Sequence, residues 1–153
     1  MAKAFEVYIP IYKKYLYVLA GTPKESVEAL MEQYDLGDKN AETLIEHLEK
    51  HSKKSNGIFT YNEESNTYTI WFPQEPNTIA REGVLLHEIN HAVFYLFDNL
   101  GIEHTQASDE AYSYLSEYLY VEIMTKFEEL IQYLWKISLS TPSVNIFDIL
   151  TSL

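Results

Sequence analysis

There is no cysteine in these 153 residues. Disulfides and thiolate metal sites are therefore excluded, and any metal must be held by nitrogen and oxygen. Basic residues are scarce. Eleven Lys and Arg stand against 23 Asp and Glu, a formal net charge of −12. Nucleic acid and an anionic membrane surface both repel such a chain, so neither is expected as a partner. No run approaches the roughly 18 apolar residues of a membrane span. Met1 to Pro10 lacks the apolar core of a signal peptide, and the expectation is a cytoplasmic protein. No internal repeat, low-complexity tract or interdomain linker divides the chain, so a single domain over residues 1–153 is expected. What the chain does have is apolar and aromatic substance. Hydrophobic residues make up 46% and aromatics 14%, with thirteen tyrosines, enough to build a core and to exclude a disordered chain.

The chain is organised around Val84-Leu85-Leu86-His87-Glu88-Ile89-Asn90-His91-Ala92-Val93. Residues four apart on a helix lie on one face, one turn from each other. His87 and His91 can therefore offer their imidazoles to one ion. Glu88 is rotated by about 100° from His87, which puts it beside the ion and suits it to act as a general base on water that the metal activates. The bland alternative is a buried helix with two core histidines. His47 and His51 are also four apart, but the residue after His47 is Leu48, and Lys50, Lys53 and Lys54 crowd the segment with positive charge. That segment reads as a solvated helix end, where the dipole favours cations.

Around the motif, β-branched and aromatic residues predict strands at Phe5 to Ile9 and Tyr15 to Leu19, with an edge or bend at Pro10 and a turn at Lys13-Lys14. Thr22 caps a helix that opens with Pro23, and Val27, Leu30, Met31 and Tyr34 form its apolar stripe. Gly37 to Asn40 reads as a break before a second helix from Ala41 to His51. Ile58 to Tyr61 and Thr67 to Phe72 form a hairpin. The motif helix starts after Asn77 or Thr78 and stops at Gly101. Gly83, one turn before His87, either leaves room near an ion or packs closely on a neighbouring helix. A long helix follows from Ala107 to Lys136. Ile123, Phe127, Leu130, Ile131 and Leu134 face inward along its second half. Its first half is apolar nearly all round, with Tyr112, Tyr114, Leu115, Tyr118 and Leu119. A break at Ser138 to Ser143 and a short helix from Val144 to Leu150 end the chain.

The segment Val84 to Val93 resembles the extended HExxH signature of the zincin metallopeptidases at every position. The resemblance covers Thr67 to Leu119 and implies an α+β fold of minimal zincin type, a small mixed or antiparallel sheet packed on the HExxH helix and on the long helix after it. Within the zincins the chain is similar to the gluzincins, and to small single-domain proteins of bacteriophage and prophage, which would place it in the host cytoplasm. Phe94 and Phe97 stand where the form with a third histidine in the same segment needs glycine and histidine. Tyr114 stands where thermolysin-like enzymes carry an aspartate.

A catalytic zinc needs a third protein ligand. Asp98, Glu103, His104, Asp109, Glu110, Glu117 and Glu122 are the candidates after His91. Glu110, 19 residues on, matches the gluzincin ligand, and an antiparallel return from the turn at Gly101 brings it level with His91 first. Glu117, roughly 10 Å further along the helix, is second. The resemblance implies a zinc-dependent peptidase with Zn²⁺ on His87, His91 and Glu110, Glu88 as the base, and a peptide or protein substrate. That substrate is expected on the edge of the Thr67 to Phe72 strand. Tyr112, Tyr114 or Tyr118 could serve the oxyanion. The alternative is a zinc protein that binds a partner without turnover. A di-iron carboxylate protein needs a second Glu-x-x-His, which the chain lacks.

Overall fold

The computed structural model describes residues 2–34 and 37–140. Four strands and four helices follow in the order β1 (Lys3–Ile9), β2 (Lys14–Ala20), α1 (Pro23–Met31), α2 (Asp38–Ser52), β3 (Ile58–Asn62), β4 (Thr67–Phe72), α3 (Ile79–Asn99) and α4 (Asp109–Ser140). The fold is α+β, with one mixed sheet in the order β1-β2-β4-β3. β1 and β2 form an antiparallel hairpin, β2 and β4 run parallel, and β3 and β4 form a second antiparallel hairpin.

Side chains alternate across a strand, and here the alternation makes two cores. Phe5, Val7, Leu16, Val18, Ile70 and Phe72 face α3 and α4. Ala4, Leu19, Ile58 and Trp71 face α1 and α2. A strand buried on both sides reads as a continuous apolar run, which accounts for Tyr68 to Phe72, every one of them buried.

The elements start and stop for local reasons. Pro10 lies in the turn between β1 and β2, and Lys13 closes it at φ +52°. The Thr22 hydroxyl accepts from the Glu25 N–H and donates to the Glu25 carboxylate, capping α1 in both directions. Thr78 caps α3 by accepting from the Arg81 N–H. At the far end, Ile102 N–H reaches the Phe97 carbonyl and Gly101 N–H that of Asp98. This Schellman closure holds Gly101 at φ +70°, a conformation glycine adopts without steric cost. α2 begins at Asp38, inside the stretch expected to break the helix, because an acidic residue suits a first turn.

α3 turns Leu85, Ile89, Ala92, Val93, Leu96 and Phe97 into the core. Fully burying an aliphatic side chain contributes about 1.5–3 kcal/mol, so this stripe fixes the rotation of α3 and of its histidines. On α4 the buried stripe is Tyr112, Leu115, Leu119, Ile123 and Phe127. Tyr114 is 67% exposed, so the first half of α4 is amphipathic and not buried all round. Ile131 and Leu134 lie outside the described side chains. α4 runs on to Ser140, past the break expected from Ser138, and the expected helix from Val144 to Leu150 lies outside the described residues.

The two sheet edges differ. Along β1, the Ala4 carbonyl accepts from Gln33, the Glu6 N–H donates to the Tyr34 hydroxyl, and the Tyr8 carbonyl accepts from the Tyr118 hydroxyl. Side chains thus occupy the backbone groups through which another strand would pair. The other edge is β3. The strand from Thr67 to Phe72, expected to offer its edge to a substrate, is β4, and it lies between β2 and β3 with both sides paired.

Candidate metal centre

The core stripe of α3 points Glu88 toward β3 and leaves His87 and His91 on the outer surface. Both histidines are exposed, while Glu88 is 6% exposed. The two Nε2 atoms lie 3.0 Å apart, with the rings nearly perpendicular at 88°. Two nitrogens at zinc-ligand distances of about 2.0–2.1 Å subtend roughly 3.3 Å at a tetrahedral angle. The pair therefore has close to the bite of a chelate, and neutral imidazoles are suited to bind a borderline ion such as zinc.

Glu88 is held from behind. A Cβ on Gly57 would lie 2.6 Å from Val84 Cγ1, 2.9 Å from Glu88 Cγ and 3.0 Å from Glu88 Oε1. Any larger residue between α3 and the start of β3 would have to displace Val84 or Glu88. The Phe59 backbone N–H, on edge strand β3, donates to the Glu88 carboxylate. Burial pushes the Glu88 carboxyl above the usual range, and the two histidines and the Phe59 N–H offset part of that rise. Sequence reading missed Gly57 and Phe59. The one available signal was a glycine directly before an edge strand.

Gly83 has open space where a Cβ would stand. It leaves room on the His87 side of α3 and does not mark close helix packing. The contacts between α3 and α4 run from Tyr112 on Phe94 and Phe97 to the Tyr120 hydroxyl on Glu82. The α4 segment 112–120 therefore spans the level of His87 and His91. Glu110 lies just before that segment and Glu117 within it, both exposed. His104 stacks on Phe94 and Tyr112 and sits 3.5 Å from Asp109. Among the described residues, no group of three or more His, Asp or Glu side chains is placed to share a metal ion. Among the described residues, the structure thus sets two nitrogens beside a buried carboxylate, with no third metal donor grouped with them.

The second histidine pair, His47 and His51, has its ring centroids 4.6 Å apart. Burial, His51 and Lys50 all lower the His47 pKa, which fits a pair beside positive charge at a helix end.

No family model matches the chain, and no curated protein or solved structure matches it. The likeness to the zincins, and with it to the gluzincins and their phage-borne forms, is thereby corrected: neither a relative nor a three-donor metal group supports it. The signature occupies ten residues of one helix. It records local spacing, whereas membership of a family requires the elements that bring the remaining groups. Among the described residues, no helix is long and apolar enough to cross a membrane.

Proposed function

We propose that this protein is a zinc-dependent hydrolase of peptide bonds, in which His87, His91 and Glu110 hold the ion and Glu88 is the general base. The reading rests on the residues themselves. The observation that carries it is the convergence of His87 and His91 Nε2 to 3.0 Å beside a glutamate that is buried and held by a backbone N–H. Glu110 stands two residues before Tyr112, which stacks on Phe94 one turn from His91, and its exposed side chain has freedom to move.

Bound zinc would lower the pKa of water from 15.7 toward about 7. Glu88 takes a proton from the attacking water and returns it to the leaving amine. Its burial raises its proton affinity above that of an ordinary carboxylate, the direction a base working near neutral pH requires. An extended substrate would pair with β3, the edge next to Glu88, because β4 is interior and side chains block the edge of β1.

A second reading is a protein that binds zinc and a partner without turnover. The finding that favours it is that only two donors converge among the described residues. Cleavage of a quenched-fluorescence peptide library by zinc-loaded protein separates the two. The hydrolase reading expects cleavage that falls about 10²–10⁴-fold in Glu88→Gln. Zinc binding with no cleavage supports the second reading, and cleavage unchanged in the variant removes Glu88 as the base.

A further inference from the structure

The open edge of the sheet and the outer face of α3 form one surface. The Phe59 N–H turns to Glu88 and away from β4. In an antiparallel ladder the backbone groups of successive residues point alternately to the two sides of the strand. The Phe59 carbonyl and both backbone groups of Tyr61 therefore face the edge. A Cβ on Gly57 would meet Val84 and Glu88, whereas Tyr61 stacks on Tyr95. β3 and α3 thus run side by side in the same direction. A peptide added to β3 follows α3 from the histidines toward its C-terminal end.

His87, His91, Phe94 and Asp98 recur at four, three and four residues and share one face of that helix. Phe94 is 48% and Tyr95 43% exposed. Tyr112 and His104 both stack on Phe94. The Tyr112 hydroxyl has its pKa raised by burial and by the charge of Asp98, and Asp109 sits 3.5 Å from His104. Two carboxylates thus stand beside an exposed aromatic face one to two turns past His91.

The charge of the chain is concentrated on this side. Residues 55–125 supply β3, β4, α3 and the first half of α4. They hold eleven acidic residues and one basic residue, Arg81, so ten of the twelve net negative charges lie in this stretch. Arg81 is taken up by Asn77 and Gln74 at the start of α3. Asp98, Glu103, Asp109, Glu110 and Glu117 are all exposed. One bound zinc would offset only two of these charges.

We infer that this surface takes cationic peptides. The peptide pairs with Phe59 and Tyr61 through its backbone and sets a Lys or Arg side chain against Phe94, beside Asp98 and Asp109. The edge groups select an extended chain, the exposed ring faces attract a cation, and the carboxylates repel an acidic competitor. Asp98 lies seven residues past His91, about 10 Å along the helix. An extended peptide covers that in about three residues at about 3.3 Å each, so the basic side chain belongs about three residues from the bond cleaved. The inference rests on the hydrolase reading and names its substrate class.

The test compares two short labelled peptides, one alternating phenylalanine with lysine and one alternating phenylalanine with glutamate. Anisotropy on the zinc-loaded Glu88→Gln chain reads binding without turnover. The lysine peptide should bind at least about tenfold tighter at low salt, and the difference should largely vanish near about 0.5 M salt. Its amide NMR shifts should fall on Phe59, Tyr61, Phe94 and Asp98. Asp98→Asn, Glu103→Gln and Asp109→Asn together should weaken it about tenfold. Glu42→Gln, Glu46→Gln and Glu49→Gln, which remove the same charge from α2, should leave it unchanged. Equal binding of the two peptides, shifts confined to other elements, or equal weakening by the two triple variants would overturn the inference. On wild-type chain, equal cleavage of both peptides at low salt overturns it and keeps the hydrolase reading. Binding of the lysine peptide at these residues with no cleavage removes the hydrolase reading and leaves the surface as the partner site of a zinc protein without turnover.

Discussion

Gly57 approaches Glu88 so closely that a methyl group on it would stand 2.9 Å from Glu88 Cγ and 3.0 Å from Oε1. The proposed base is thus positioned by a glycine 31 residues earlier in the chain. Gly57→Ala must push Glu88 or Val84 aside. Overpacking of this kind costs about 1–3 kcal/mol, and misplacing a catalytic group by about 1 Å lowers turnover up to about 10²-fold. The expected result is a lower melting temperature and a kcat reduced by at least about tenfold, with zinc content unchanged. Calorimetry and peptide cleavage on the same variant check both parts. Turnover equal to wild type would remove Gly57 from the positioning of Glu88.

Glu88 should also show itself in the stability of metal-free protein. Its pKa is raised, chiefly by burial, so the folded chain holds the proton more tightly than the unfolded chain. Below the unfolded value the group is neutral in both states and carries no penalty. As pH rises through the interval between the unfolded and folded values, the unfolded chain ionises first and the fold loses stability. Glu88→Gln removes that loss. With chelator present, the variant should melt above wild type at pH 7, by about 2–4 °C for each kcal/mol recovered in a chain of this size. The difference should close below about pH 4. Melting curves across pH measure it, and a variant less stable than wild type at pH 7 would contradict the sign.

The third ligand distinguishes two exposed glutamates of α4. Glu110→Gln should weaken zinc binding by about 10-fold or more, and Glu117→Gln should leave it unchanged. Competition with a chromogenic chelator reads both affinities. The reverse order would move the ligand about two turns along α4, into the segment between Tyr112 and Tyr120 that spans the level of the histidines.

The strands and helices were legible in the sequence because their signals are local. Alternation in Phe5 to Ile9 and Tyr15 to Leu19, the cap at Thr22 and the glycine at 101 each act within a few residues. Strand order was not legible. Tyr68 to Phe72 reads as a strand wherever it lies, and only its pairing with both β2 and β3 makes it interior and moves the free edge to β3. Tyr114 reads as apolar by residue type, but a tyrosine has a polar tip and sits as well in water as in a core. The approach of Gly57 to Glu88 joins a loop to a distant helix, and no periodicity carries it. The HExxH spacing gave the two histidines and the glutamate. It could not supply a third donor or a family, because both depend on residues outside that helix.

Zinc content tests the central claim most directly. The chain and its variants are loaded with one equivalent of zinc, dialysed against metal-free buffer and measured by mass spectrometry of the metal. The account predicts one zinc per chain in wild type and in Glu88→Gln, and close to none in His87→Ala and His91→Ala. Wild-type protein that retains no zinc, or histidine variants that retain as much as wild type, would contradict it.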